Sequence, residues 1–131
     1  MSSRDLFAAV RERGPRGWSP AVDVFYVGDP PRAIVHVELP GVDPAGVTLE
    51  IQGRELLLAG HRPPPEAEGR LYQQIEIEHG PFHRIIPLGA DVDRDAAKAT
   101  YNDGILVVTL PLVRNEPRRR KVSITTTEGD A

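Results

Sequence analysis

The sequence predicts an all-β protein built as a β-sandwich. Short apolar runs with period-two alternation recur along the chain, and most of its 13 prolines and 12 glycines lie at the ends of these runs. Between residues 18 and 112, no stretch is long enough to predict a helix that connects two strands. With 131 residues, the chain has room for one domain. Because 40% of the residues are apolar but only 5% are aromatic, we expect an aliphatic core.

Four strands are predicted in the first half of the chain. They read AVDVFYV, AIVHVEL, GVTLEIQ and LLLAG, at residues 21–27, 33–39, 46–52 and 56–60. The third run alternates cleanly, so Val47, Leu49 and Ile51 are predicted to face inward. The sequence QGRE at residues 52–55 predicts a tight hairpin between the third and fourth strands.

The second half opens with a segment that cannot be a strand. Residues 62–70, RPPPEAEGR, contain three consecutive prolines that supply no backbone donors. Residues 90–101 predict a loop with one helical turn, capped by Asp93 or Asp95, that leads into a strand ending at NDG, residues 102–104. NDG is the strongest hairpin signal in the chain. Further strands are predicted at residues 71–78, 81–88 and 105–111.

The last predicted strand is apolar on both faces. Ile105 and Val107 point one way, whereas Leu106, Val108 and Leu110 point the other. A strand with one wet face alternates apolar with polar residues. The pattern therefore predicts that the second face is also covered, at least in part.

Composition excludes several classes of protein. There is no cysteine, which removes disulfides and thiolate chemistry and fits a cytoplasmic protein. No apolar run is long enough to span a bilayer, so we expect no membrane insertion. The net charge of −3 argues against general nucleic-acid binding.

No catalytic, cofactor or metal site is predicted. His79 and His83 flank the start of a strand rather than sharing a helical face, so we interpret them as edge or surface histidines. Residues 91–95, DVDRD, are similar to a calcium loop, but Ala96 and Asn102 replace its glycine and its bidentate glutamate. The sequence contains neither a glycine-rich phosphate loop nor the HExxH zinc motif.

The two ends of the chain differ from its middle, and we divide the chain accordingly into an arm (residues 1–17), a β domain (18–112) and a tail (113–131). In the arm, Leu6, Phe7 and Val10 form one apolar stripe. It is either a frayed terminus or an adhesive segment that contacts other chains.

The tail carries a basic run followed by one apolar pair. The run at 118–121, RRRK, is interpreted as a solvated tether rather than a nucleic-acid site, because acidic residues surround it. Val122 and Ile124 follow, separated by one serine.

Five segments, in order and spacing, resemble the small heat-shock proteins of bacteria and plants, which are built on the α-crystallin domain. They are WSPAVDVF (18–25), VELPGV (37–42), GPFHRIIPL (80–88), AKATYNDGILVVTLP (97–111) and VSI (122–124). Arg84 and Gly104 lie at structural positions of the family signatures. Tyr26 and Gly89 depart from the acidic residue and the proline that the family prefers there.

The resemblance implies an immunoglobulin-like β-sandwich that dimerises by exchanging a strand. Residues 62–79 would project outward, and their strand would pair with the partner's strand near 21–27. The alternative is an ordinary hairpin within one subunit. The residues expected to take part in the exchange are Leu71, Tyr72, Ile75, Ile77, Val22 and Val24.

The resemblance also implies a docking groove for the tail. Val122 and Ile124 of one dimer would enter a groove of another dimer, and so build larger homo-oligomers. The groove residues are expected to be Val47, Leu49, Ile51, Ala97, Ala99 and Tyr101. The stripe of Leu6, Phe7 and Val10 is expected to contact non-native client proteins.

The implied function is that of an ATP-independent holdase, a chaperone that needs no cofactor and keeps unfolding proteins soluble. Two alternatives remain at this point. A co-chaperone adaptor of the CS type uses a similar sandwich to bind folded partners, and it would be monomeric without the exchanged segment. An enzyme or ligand-binding sandwich would need a concave polar pocket, which the sequence does not locate.

Overall fold

The computed structural model describes residues 7–11, 17–113 and 121–127, and within these ranges the chain forms two antiparallel sheets. The predicted all-β sandwich is therefore confirmed. The strands are β1 (Val22–Val27), β2 (Arg32–Glu38), β3 (Thr48–Gln52), β4 (Glu55–Arg62), β5 (Gly80–Pro87), β6 (Lys98–Asn102) and β7 (Ile105–Pro111).

The two sheets have the strand orders β1-β2-β7-β6 and β3-β4-β5. This arrangement leaves β1 and β6 at the edges of the first sheet, and β3 and β5 at the edges of the second. Trp18 forms a bridge with Phe82 on β5 before the chain crosses to the first sheet. Gly17 makes this approach possible, because a Cβ atom there would lie 1.9 Å from the carbonyl oxygen of Pro81.

The inward faces of both sheets form one aliphatic core. On β7, Leu106, Val108 and Leu110 are buried, whereas Ile105 and Val107 on the other face are half-buried. The second apolar face of this strand is therefore the outer face of the four-stranded sheet, and only part of it is covered. The main buried residues are Val35, Val37, Leu39, Leu56, Leu58, Phe82, Ile86, Leu106, Val108 and Leu110.

Turn chemistry sets the hairpins. Asp103 and Gly104 both have positive φ angles, 53° and 79°, as the two-residue turn between β6 and β7 requires. Gly104 also approaches Pro40 closely, where a Cβ atom would lie 3.2 Å from the Pro40 Cα atom. The predicted helical turn is a 3-10 turn at Arg94–Ala96, capped by the Asp93 side chain.

The strand predicted at residues 71–78 does not form. Residues 71–79 form no strand, because none of the strands within residues 7–11, 17–113 and 121–127 lies beside them. The alternation of the sequence is real, but a strand needs a hydrogen-bonded neighbour. Among the described residues, no helix has the length and apolar character needed to cross a bilayer.

Candidate functional site

Residues 62–79, which we call the excursion, leave the three-stranded sheet between β4 and β5 and are tied together at their base. Arg62 donates from Nε and Nη2 to the carbonyl oxygen of Glu78, at 2.9 and 2.5 Å. Its Nη1 atom donates to the carbonyl oxygen of Pro40 at 3.1 Å. The same guanidinium lies 3.9 Å from the centroid of the Trp18 ring. One arginine thus holds both ends of the excursion against the sandwich.

The excursion exposes four large apolar side chains. Leu71, Tyr72, Ile75 and Ile77 are 100%, 47%, 72% and 70% exposed. The two isoleucines are separated by one residue and would share a face if this segment were a strand. The excursion therefore presents an apolar strip that the rest of the described chain leaves largely uncovered.

Strand β1 presents an unpaired edge with an open inner face. Val22 and Val24 lie opposite the buried residues Val37 and Val35 of β2, so they belong to the core side of the sheet. Val22 packs against the core, but Val24 remains 37% exposed. Because no described strand lies on the outer side of β1, its backbone groups there can pair with a strand from another chain.

Near its C-terminal end, β1 is joined to the loop after β5 through a tyrosine side chain. Tyr26 accepts a hydrogen bond at its hydroxyl oxygen from the backbone N–H of Gly89, in the loop that follows β5. Proline at position 89 would remove this donor, and a Cβ atom there would lie 2.9 Å from the tyrosine oxygen. Tyr26 and Gly89, the two residues that depart from the family pattern, therefore contact each other.

Arg84 links the two sheets near the same edge. It lies opposite Leu58 on the inner face of β5, and its Nη1 atom donates to the carbonyl oxygen of Pro20 at 3.1 Å. Pro20 precedes β1, so this bond fixes the start of β1 against the second sheet.

The expected tail groove lies along the other two edges, β3 and β6. Most of its residues are half-buried and pack against the core, namely Val47, Leu49, Ile51, Ala97 and Tyr101. Ala99 is exposed, on the same face of β6. The hydroxyl group of Tyr101 donates to the carbonyl oxygen of Leu39 at 2.6 Å, which holds the ring in place.

The apolar pair of the tail lies outside this groove. Residues 121–127 form no strand, and Val122 and Ile124 are 76% and 91% exposed. The same chain thus carries half-buried apolar residues at the β3 and β6 edges and an exposed apolar pair in its tail.

The arm does not leave its phenylalanine in solvent. Residues 7–11 are helical, Phe7 is 1% exposed and Val10 is half-buried. Arg11 forms an ion pair with Glu55 at the start of β4. Leu6 lies outside the described residues.

Sequence reasoning missed the roles of Arg62 and Leu57. In the sequence, Arg62 belongs to the solvent-exposed proline-rich segment. Nothing in the neighbouring residues indicates that its guanidinium holds the ends of this segment together. Leu57 is fully buried although it points away from the core. The sequence does contain a signal for this second buried face. Three consecutive leucines at 56–58 make both faces of β4 apolar, as in β7.

The described residues contain no group of three histidine, aspartate or glutamate side chains that could hold a metal ion. Among the histidines, His36 lies on the outer face of the four-stranded sheet, where its ring packs edge-on against Phe25 at 5.1 Å. At this site the sequence and structure offer apolar surfaces and open edges, which suit binding to polypeptides.

Comparison with known proteins gives the same picture. Residues 28–125 match the sequence profile described as "Hsp20/alpha crystallin family". The 19.0 kDa class II heat shock protein of rice (Oryza sativa subsp. japonica) is 34% identical over 110 residues, which cover 79% of this chain. The chain spans 62% of the length of that rice protein.

Two solved structures share the fold. Heat shock protein 16.0 from Schizosaccharomyces pombe is 30% identical with a TM-score of 0.68, over 82% of this chain and 99% of that one. A small heat-shock protein from Xylella fastidiosa is 28% identical with a TM-score of 0.63, over 83% of this chain and 100% of that one. That second structure is described as revealing "a distinct high order structure".

Proposed function

The chain belongs to the Hsp20/alpha crystallin family, and from this premise we propose that it is an ATP-independent holdase that binds unfolding proteins and prevents their aggregation. The observation that carries the proposal is the excursion, because Leu71, Ile75 and Ile77 are largely exposed in the part of the chain that the structure describes. We propose that the protein acts without catalysis. We also propose that it works in the cytoplasm, since it contains no cysteine.

We propose that the excursion pairs with β1 of a second copy. Each chain supplies both halves of this contact: the unpaired edge of β1, and an alternating segment beside which no described strand lies. If Ile75 and Ile77 faced the open inner side, they would cover Val22 and Val24. A two-fold dimer would make this contact twice and close both β1 edges.

The tail is proposed to join dimers into larger homo-oligomers. Val122 and Ile124 would each gain roughly 1.5–3 kcal/mol when fully buried in the groove between β3 and β6. Ordering the tail costs about 1–2 kcal/mol per residue, so a single contact is weak and reversible. Many contacts in one assembly would hold it together through effective concentration. The described higher-order structure of the Xylella fastidiosa relative supports this proposal.

Reversible contacts of this kind would let apolar surface appear under stress. Warming would free grooves and arms for an unfolding client, and the client would compete with the segments that cover them at rest. The residues Leu6, Phe7 and Val10 of the arm remain proposed contacts for clients, after Phe7 has left its buried position.

The test combines chaperone activity with mass in solution. A thermolabile enzyme is heated with and without an equimolar amount of the full chain, and its aggregation is followed by light scattering. We expect suppression for several unrelated test enzymes, and a lack of suppression throughout would contradict the holdase proposal. The native mass is measured at rest and after warming. A monomer at both temperatures would favour the CS-type adaptor instead.

A further inference from the structure

The fully buried apolar side chains of Phe7 and Leu57 lie outside the sandwich core. Phe7 is 1% exposed and Leu57 is 0% exposed, yet neither belongs to the core cluster between the sheets. Leu56 and Leu58, on either side of Leu57, do belong to it. Since side chains alternate along a strand, Leu57 must point to the outer face of the three-stranded sheet.

This outer face carries a small apolar spot with an acidic border. The cross-strand neighbours of Leu57 are Glu50 on β3 and Ile85 on β5, both half-buried. Glu55 lies two residues before Leu57 and therefore on the same face. A bare Leu57 would be solvated, so something from outside the sheet covers it.

The helical turn of the arm is attached to this same face of the sheet. Arg11 pairs with Glu55, and its guanidinium lies 5.9 Å from the centroid of the Phe7 ring. Phe7 and Arg11 are four residues apart, so both project from one side of the turn. The ion pair thus attaches the turn to the face that carries Leu57, and the burial of both Phe7 and Leu57 fits a contact between them.

The attachment is weak enough to be reversible. The side chains of Arg11 and Glu55 are 50% and 32% exposed, and exposed ion pairs contribute little to stability. A short helix is marginal without tertiary support. The arm can therefore lift off while the sandwich stays folded, because the core does not include Phe7.

We propose that the outer face around Leu57 is a binding site for an aromatic side chain of a non-native polypeptide, and that Phe7 occupies this site in the resting chain. The site favours a segment that carries an aromatic residue with a basic residue one helical turn later, because Glu50 and Glu55 border the apolar spot. Phe7 and Arg11 of the arm have this same spacing, so the arm and a client segment compete for the site. This inference rests on the proposed chaperone function and adds a location and a selectivity to it.

The first experiment opens the arm by charge reversal in the full-length chain. Arg11→Glu places two carboxylates together, and we expect about two- to fivefold more arm-open chains, with a matching rise in binding of an apolar fluorescent dye at rest. The double variant Arg11→Glu, Glu55→Arg restores an opposite-charge pair and should return dye binding to the wild-type level. Lys98→Glu is the matched control, since it makes the same charge reversal at an exposed position on β6 of the other sheet, away from Glu55.

The outcomes of this experiment are distinct. An unchanged dye signal in Arg11→Glu, or a double variant that stays as open as the single one, overturns the proposal. The dye signal does not depend on chaperone activity. If the wild-type chain fails to suppress aggregation, the proposed function is contradicted, but the dye-binding result for the arm still stands.

The second experiment tests occupancy directly. The probe is a labelled peptide with the sequence DLFAAVRER, residues 5–13 of the chain, and its binding is measured by fluorescence anisotropy. Removing the internal competitor with Phe7→Ala should tighten binding at least about fivefold. A peptide with alanine in place of its phenylalanine should bind weakly to both proteins. Equal affinity for wild type and Phe7→Ala, or binding that survives Leu57→Ser in the folded protein, would overturn the proposal.

Discussion

Replacing Ile75 and Ile77 together with alanine is expected to separate the proposed dimer without destabilising the subunit. Each change removes three carbons, worth about 2.4 kcal/mol when fully buried. The side chains are 72% and 70% exposed in the single chain, so pairing can bury at most about 1.7 kcal/mol of this for each one. A two-fold dimer contains both side chains twice, which brings the loss to at most about 7 kcal/mol, or about 10⁵-fold in Kd.

Analytical ultracentrifugation over a dilution series measures this Kd. The matched control is Gln74→Ala with Glu76→Ala, which changes the alternate face of the same segment and should leave the dimer intact. Thermal unfolding of the double-isoleucine variant under conditions where it is monomeric checks that the sandwich is unaffected. A change in Kd of less than about tenfold would show that Ile75 and Ile77 are not buried between subunits, and the proposed strand exchange would fail.

Three further predictions concern the tail, the core and a surface ion pair. Replacing Val122 and Ile124 with glycine should reduce any large assembly to dimers, and an unchanged particle size by light scattering would contradict the tail proposal. Gly60→Ala should lower the free energy of unfolding by about 1–3 kcal/mol in denaturant titrations, because its Cβ atom would lie 2.5 Å from a phenylalanine ring atom of β5; equal stability would show that the ring can move aside. The hydrogen bond from Arg54 lowers the pKa of Asp91, so the stabilising contact is present above the ordinary carboxyl pKa and is lost as pH falls through the lowered value. Arg54→Ala should raise the pKa of Asp91 towards its ordinary value in an NMR titration, and an unmoved titration would mean that the pair does not persist in solution.

Local patterns in the sequence were sufficient for most of the fold. The alternation along β7 predicts that Leu106, Val108 and Leu110 face inward, and all three are buried. NDG predicts the hairpin before this strand, and the positive φ angles of Asp103 and Gly104 form it. These predictions succeed because strand periodicity and turn conformation depend on residues within a few positions of one another.

The excursion is a segment whose structure could not be predicted from local patterns. Alternation at residues 71–78 predicts a strand, but no strand among the described residues lies beside this segment. Whether an alternating segment becomes a strand depends on hydrogen-bond donors and acceptors supplied from elsewhere. Likewise, nothing next to Arg62 indicates that its guanidinium binds the carbonyl oxygens of Pro40 and Glu78, which are distant in the sequence.

By itself, the sequence determined the class of fold, the strands of the sandwich and the faces that point inward. It also determined that β4 and β7 carry apolar residues on both faces. Only the tertiary structure decided which edges of the described sheets stay unpaired, and that the arm buries its phenylalanine and pairs its Arg11 with Glu55 on β4. The physical reason is that burial of a face is encoded by nearby residues, whereas its cover comes from a contact such as Arg11 with Glu55, which joins parts of the chain 44 residues apart.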